Sequence, residues 1–230
     1  MKKSDALFRM EELRKQADQG ARMEAWGYAG LLVLPVGLAL LFFGSRKREK
    51  ANQEMDELYR QVFIREPLEE SFEHTSFEPY EGFSEEMVEG FQICEMGNEF
   101  DSEAYGKGDW QGVHMEMSDV TIRDYDRMSG KNNTTIFKGR MIVLSFPETI
   151  VSEQVQPRLN ERLKKVAARH QGAEMKVMDH NLILAINDGD GIAFYRQKKK
   201  GVSMEAELKK VQDDMDEIKA MITLVRQGKN

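Results

Sequence analysis

The hydrophobic positions of the chain change their spacing several times along its length. From Ser4 to Glu24, Leu7, Met10, Ala17 and Ala21 recur three or four residues apart or at multiples of that, and Ser4 stands where a helix cap is wanted. The spacing predicts an amphipathic helix over residues 1–24, lying in an interface or against a partner. Residues 25–44, AWGYAGLLVLPVGLALLFFG, then run for twenty positions without a charge. A helix of that length is about 30 Å long, close to the hydrocarbon thickness of a bilayer, so a transmembrane helix is expected there. Trp26 and Tyr28 stand near one end, where amphipathic rings favour the headgroup layer. At the other end Phe42 and Phe43 give way to Arg46, Lys47, Arg48 and Lys50, which can reach anionic headgroups. Pro35 is expected to kink the helix. A secretory signal peptide is the rival reading. Against it, the run is longer than an ordinary signal core and ends in GSRKRE, without a small-x-small cleavage site.

Helical spacing resumes over residues 45–70, a juxtamembrane helix in which Ala51, Met55, Leu58 and Val62 make a short heptad seam and which Pro67 ends or kinks. The acidic stretch SFEHTSFEPYEGF reads as loop, with a turn at Pro79 and Gly82, and Ser84 reads as the cap of a short helix over 85–90. The period then falls to two. Residues 113–122 alternate in part, residues 134–146 are rich in β-branched and aromatic residues, and the two are expected to pair as a hairpin. A helix over 157–171 follows, with Pro157 as its first residue and Leu159, Leu163, Val166 and Ala167 as its apolar stripe. Strands are expected near 174–178 and 182–187, and the DGDG turn leads into another segment at 192–195. The last element is a helix over 204–227, capped by Ser203. Its seam residues, Met204, Leu208, Val211, Met215, Ile218, Ile222 and Val225, keep the heptad spacing 4, 3, 4, 3, 4, 3. Such a seam either braces the helix on its own chain, including the 51–62 seam, or zips two chains into a coiled coil. The whole reads as an α+β fold: a transmembrane helix, then one soluble domain over 71–230 with a mostly antiparallel sheet and a long C-terminal helix.

Charge refines the picture more than composition does. The formal net charge of −7 over 230 residues conceals sixteen acids against Arg60 and Arg65 between residues 51 and 105. A segment that acidic repels nucleic acid and anionic lipid. Four basic groups within five positions after the apolar run favour that side as cytoplasmic, with a re-entrant or N-inside arrangement as the alternative. The single cysteine, Cys94, agrees, since exported domains of this size more often carry paired cysteines.

Catalytic and metal chemistry finds little to stand on. YGKGDWQG lacks the spacing of a phosphate-cradling loop. His74, His114, His170 and His180 are scattered, and one cysteine builds no zinc site with them. In the loop at 187–191, Asp188 and Asp190 alternate as calcium ligands do, but Ile192 stands at the next ligand position and no Glu closes the loop, so a tight turn is expected. Cys94 with His114 is the one conceivable thiolate–imidazole pair, the basis of a membrane-bound hydrolase alternative. No catalytic, cofactor-binding or metal residue is assigned. The sequons at Asn132 and Asn133 matter only in a glycosylating compartment. Lys198, Lys199 and Lys200, in the run at 196–200, join Arg46, Lys47, Arg48 and Lys50 as candidate lipid-headgroup contacts.

Between residues 58 and 146 the segments LYRQVFIREPLEESFE, FEPYEGFSEE, MGNEFDSEAYGKGDWQGVHMEMSDVTI and TTIFKGRMIVLSF resemble the bacterial membrane proteins of the family named domain of unknown function 3137. The most telling parts are Gly97–Asn98, Gly108 with Gly112–Val113, Ser118–Asp119–Val120 and Phe137–Lys138–Gly139–Arg140. NLILAINDGDG and the final helix are similar more loosely. FPETIVSEQVQP stands where the family has a longer stretch, and many members carry two membrane helices where this chain has one apolar run. The resemblance implies a bacterial inner-membrane protein with its α+β domain on the cytoplasmic side, and it brings no activity or cofactor. The expected role is a membrane-anchored, non-enzymatic interaction or accessory protein, with an anionic-lipid-sensing module or a hydrolase using Cys94 as alternatives. The expected partners are membrane lipids and a second copy or another membrane protein, and not nucleic acid.

Overall fold

The structure, a computed structural model, describes residues 3–29, 34–125, 133–150, 152–187 and 204–227. Two long strands, β3 (Val113–Tyr125) and β4 (Asn133–Ser145), set the architecture. They pair antiparallel, with His114 opposite Ser145 and Tyr125 opposite Asn133, as the expected hairpin requires. With β1 (Glu73–Glu78), β2 (Glu99–Trp110), β5 (Gly172–Met178) and β6 (Asn181–Asn187) they form a six-stranded sheet in the order β1-β2-β3-β4-β6-β5, antiparallel throughout.

Because side chains alternate across the pleat, the two faces feed two cores. Met115, Met117, Ile142, Leu144, Leu182 and Leu184 enter the larger one. Val120, Ile122, Met141, Val143, Ile183 and Ala185 enter the other, closed by Phe83, Val88 and Phe91 around α4 (Glu85–Phe91). Ser84 caps α4 as expected, its Oγ accepting from the Met87 N–H at 3.2 Å. The larger core is roofed by α3 (Glu66–Ser71), α5 (Ser152–Ala167) and α6 (Met204–Gln227). The heptad seam of α6 lies inside this core: Met204, Leu208, Met215, Ile218, Ile222 and Val225 are buried and Val211 is half-buried. The helix is braced on its own chain against α5 and α3, so its seam is already occupied in the monomer.

Two helices precede α3, and they correct the expectation of a single rod over 25–44. α1 (Lys3–Ala29) and α2 (Leu34–Tyr59) run antiparallel, and the apolar run is divided between the end of one and the start of the other. Pro35 supplies a physical reason. Inside a helix it removes a hydrogen bond and crowds the preceding turn, whereas as the second residue of α2 its missing N–H costs nothing. Among the described residues, no helix is long and apolar enough to cross a membrane.

The helix expected over 45–70 is present as α2, a π-helical turn (Arg60–Arg65) and α3 in unbroken succession. Pro67, the second residue of α3, does not end it. The wider π turn just upstream relieves the clash its ring would make with the carbonyl four residues earlier.

Other expectations shift. Ser4 lies within α1, its Oγ donating to Asp5 Oδ1 at 3.3 Å. The acidic stretch read as loop contains β1, and the glycine-rich YGKGDW is the end of β2. Those glycines serve close packing: a Cβ at Gly108 would stand 2.7 Å from Phe72 Cβ, and one at Gly106 would stand 3.1 Å from Leu68 Cδ2. α5 begins at Ser152, five residues before Pro157, which sits exposed inside it. The segment at 192–195, Ser203 and Lys198, Lys199 and Lys200 lie outside the described residues.

Candidate membrane interface

The α1–α2 hairpin has two halves of opposite character. Near the domain it behaves as a water-soluble hairpin does: Ala6, Met10 and Leu13 of α1 pack with Ala51, Met55 and Tyr59 of α2, all buried. Arg9 ties this half together from outside, its guanidinium 2.8 Å from Glu54 and 3.3 Å from Glu12. The hydrogen bond to Glu54 is the main reason the Arg9 pKa is raised.

Beyond that level the polarity inverts. Among the described side chains between Leu13 and Ala51, no hydrophobic one is buried; what is buried is Gly20, Glu24, Gly27 and Gly44. The helices approach so closely that a Cβ on Gly20 would stand 2.7 Å from the Gly44 carbonyl oxygen. One on Gly44 would stand 2.8 Å from the Glu24 nitrogen. Glu24, 8% exposed, is held by Arg48 at 2.7 Å, and its Oε1 has no hydrogen-bond partner among the described residues. Lys47 Nζ donates to Gln19 Oε1 across the same crossing at 2.8 Å. The large apolar groups point outward: Trp26 is 71% exposed, Tyr28 68%, Phe42 51% and Phe43 61%.

In water, helix pairs bury their apolar side chains and leave the polar ones out. In hydrocarbon, where apolar contact with the surroundings is no loss, helices meet through small and polar residues instead. The distal half of this hairpin follows the second rule. Of the headgroup candidates, Arg46, Arg48 and Lys50 are exposed and Lys47 is half-buried at the base of this half, with the Arg46 guanidinium 4.3 Å above the Phe42 ring. The signal for this site was in the sequence, in the glycines and Glu24 at helical spacing, but it becomes readable only once Gly20 is known to face Gly44.

The domain does not assemble the catalytic pair that the sequence allowed. Cys94 is half-buried beside the second core, where burial and then the nearby Glu174 carboxylate push its thiol up from 9.0. His114 is engaged elsewhere: Asp109 takes its Nδ1 at 2.7 Å and that of His74 at 3.2 Å. These contacts lower the Asp109 pKa, the His114 hydrogen bond most of all. Tyr105 is raised by burial and by its hydrogen bond to Glu116. His170 and Arg169 both hold the buried Asp214, at 2.7 and 2.6 Å, pinning the end of α5 to α6. Arg140 makes a two-pronged pair with Asp119 across β3 and β4, and Arg60 reaches Glu103 on β2. Since Glu103 stands opposite Asp119, these four form one polar row beneath the π turn. Among the described residues no group of three metal-ligating side chains is placed to hold an ion.

Comparison with protein-family models, curated proteins and solved structures finds no match. The resemblance to domain of unknown function 3137 therefore rests on the residues quoted for it.

Proposed function

We propose that this protein is a membrane-anchored accessory module of the bacterial inner membrane, whose α+β domain is presented on the cytoplasmic side to membrane-confined partners. The reading is carried by the inverted polarity of the distal hairpin, with Trp26, Tyr28, Phe42 and Phe43 outward and Gly20, Glu24 and Gly44 inward. An anchor confines the domain to a surface and raises its effective concentration for co-localised partners without any new contact. A binding role is supported over turnover by the surroundings of Cys94, whose raised thiol is a poor nucleophile at neutral pH. The cytoplasmic side is supported by the dense basic run after the apolar segment and by the resemblance described above.

The test is flotation of the full-length chain with phosphatidylethanolamine–phosphatidylglycerol vesicles, at low salt and in 1 M NaCl. Flotation that survives high salt is expected, because hydrophobic insertion is not screened. A chain that stays at the bottom of the gradient overturns the reading. A second reading, an anionic-lipid sensor, is favoured by the exposure of Arg46, Arg48 and Lys50 at the hairpin base. It predicts flotation that requires phosphatidylglycerol and disappears in salt.

A further inference from the structure

We propose that the hairpin enters a single leaflet, so that Ser4 and the sheet domain lie on the same side of the membrane; this rests on the membrane-anchor reading and specifies its depth and topology. The occupant of the exposed apolar surface is then the acyl chains of one leaflet.

Length decides this first. From Leu34 to Gly44, α2 advances ten residues, about 15 Å. The hydrocarbon core is about 30 Å thick, so the uncharged part of the arm matches one leaflet and not two.

Charge decides it second. Gly20 faces Gly44, so Arg22 and Glu24 on α1 stand at nearly the same height as Arg46 and Arg48 on α2. The charged groups of the two arms thus form one collar at one depth. A rod crossing the bilayer needs a charged collar at each end. Glu24, the collar residue that turns inward, is neutralised by Arg48, while Arg22 and Arg46 are exposed at the same level and can reach headgroups.

Direction decides it third. α1 and α2 are antiparallel and pack along their length, with Arg9 beside Glu54 at one end and Gly20 beside Gly44 further on. The start of α1 is thereby held beside the end of α2 that leads into the sheet domain, with Ala6 and Met10 in the same continuous cluster of buried residues. A topology that separates Ser4 from the domain by a bilayer would require those contacts to be given up.

The experiment uses the full-length chain in native membranes, in a Cys94→Ser background, with three single-cysteine variants: Ser4→Cys, Glu86→Cys and Ala29→Cys. All three positions are exposed, and Ala29 is the last residue of α1. A membrane-impermeant maleimide is applied to inside-out vesicles and, separately, to spheroplasts. The inference expects the cysteines at 4 and 86 to label from one face only, the same face. It expects the cysteine at 29 to label from neither until detergent is added. Labelling at 4 and 86 from opposite faces overturns it in favour of a spanning rod, and labelling at 29 from the face opposite 86 overturns it in favour of two spanning arms. In both of those cases the anchor reading stands. A protein washed from the membrane by carbonate overturns the anchor reading, and this inference with it.

Discussion

Replacing Phe42 and Phe43 by serine separates membrane affinity from folding. The two rings are 51% and 61% exposed. A large aromatic side chain carries about 200 Å² of surface, so each ring leaves on the order of 100 Å² to be moved from water into acyl chains. At about 25 cal/mol per Å² that is about 2.5 kcal/mol for each residue, or a loss of roughly 60-fold in partitioning. The double variant is expected to lose about 5 kcal/mol, between three and four decades. Folding is expected to suffer little, because neither ring is in either core. The contact of Arg46 over Phe42, at 4.3 Å and exposed, contributes under about 1 kcal/mol. The assay is partitioning of purified protein into vesicles over a lipid titration, run beside thermal unfolding followed by circular dichroism. A loss of partitioning below about threefold, or a Tm that falls by several degrees, would refute the reasoning, since the rings would then belong to the protein and not to the lipid.

Other perturbations probe the same account elsewhere. Gly44→Leu places side-chain carbon against the Glu24 and Gly20 backbone at under 3 Å, so the arms must part, at a cost of about 1–3 kcal/mol. Hydrogen exchange of α1 amides between Gly20 and Ala29 is expected to speed up while the sheet amides stay protected, and unchanged protection in α1 would contradict the close crossing. Ile222→Ala empties a fully buried position of the α6 seam and is expected to cost about 2–5 kcal/mol in urea unfolding without changing the oligomeric state. A variant that loses self-association instead would return the seam to an intermolecular role. Burial and Glu174 raise the Cys94 thiol in the folded state only, so the unfolded chain gives up this proton first as pH rises. Stability from this group is therefore intact below about pH 9 and falls above it. Iodoacetamide at pH 8 is expected to alkylate the native chain well below the rate of the urea-unfolded one, and equal rates would contradict the assigned surroundings.

What was legible in the sequence followed periodicity that a single element satisfies by itself. The seam of α6, the β3–β4 hairpin and the Ser84 cap each depend on spacing within one short segment, and each is found where the spacing places it. β1 and β2 were hidden because their neighbours define them. EHTSFE is half-exposed, and the glycines of YGKGDW look like loop residues until Phe72 and Leu68 are seen packed onto them. The uncharged run looks like one rod in sequence because hydropathy records composition and not direction. Pro35 in isolation predicts a kink, and its comfort in the first turn of a new helix becomes plain only when Gly20 and Gly44 are found face to face. The inward turn of Glu24 shows only in its helical spacing from Gly20, since a lone acid near an apolar run is as often a solvated boundary.

The most direct test of the central claim is the depth of Trp26. In a Trp110→Phe background it is the only tryptophan of the chain, and 71% of it faces outward from the hairpin. Vesicles whose lipids carry bromine on their acyl chains should quench its emission and shift it to the blue, with shallow bromines quenching more than those at the bilayer centre. Emission that stays as in water, unquenched at every bromine position while the chain is folded, would contradict the account.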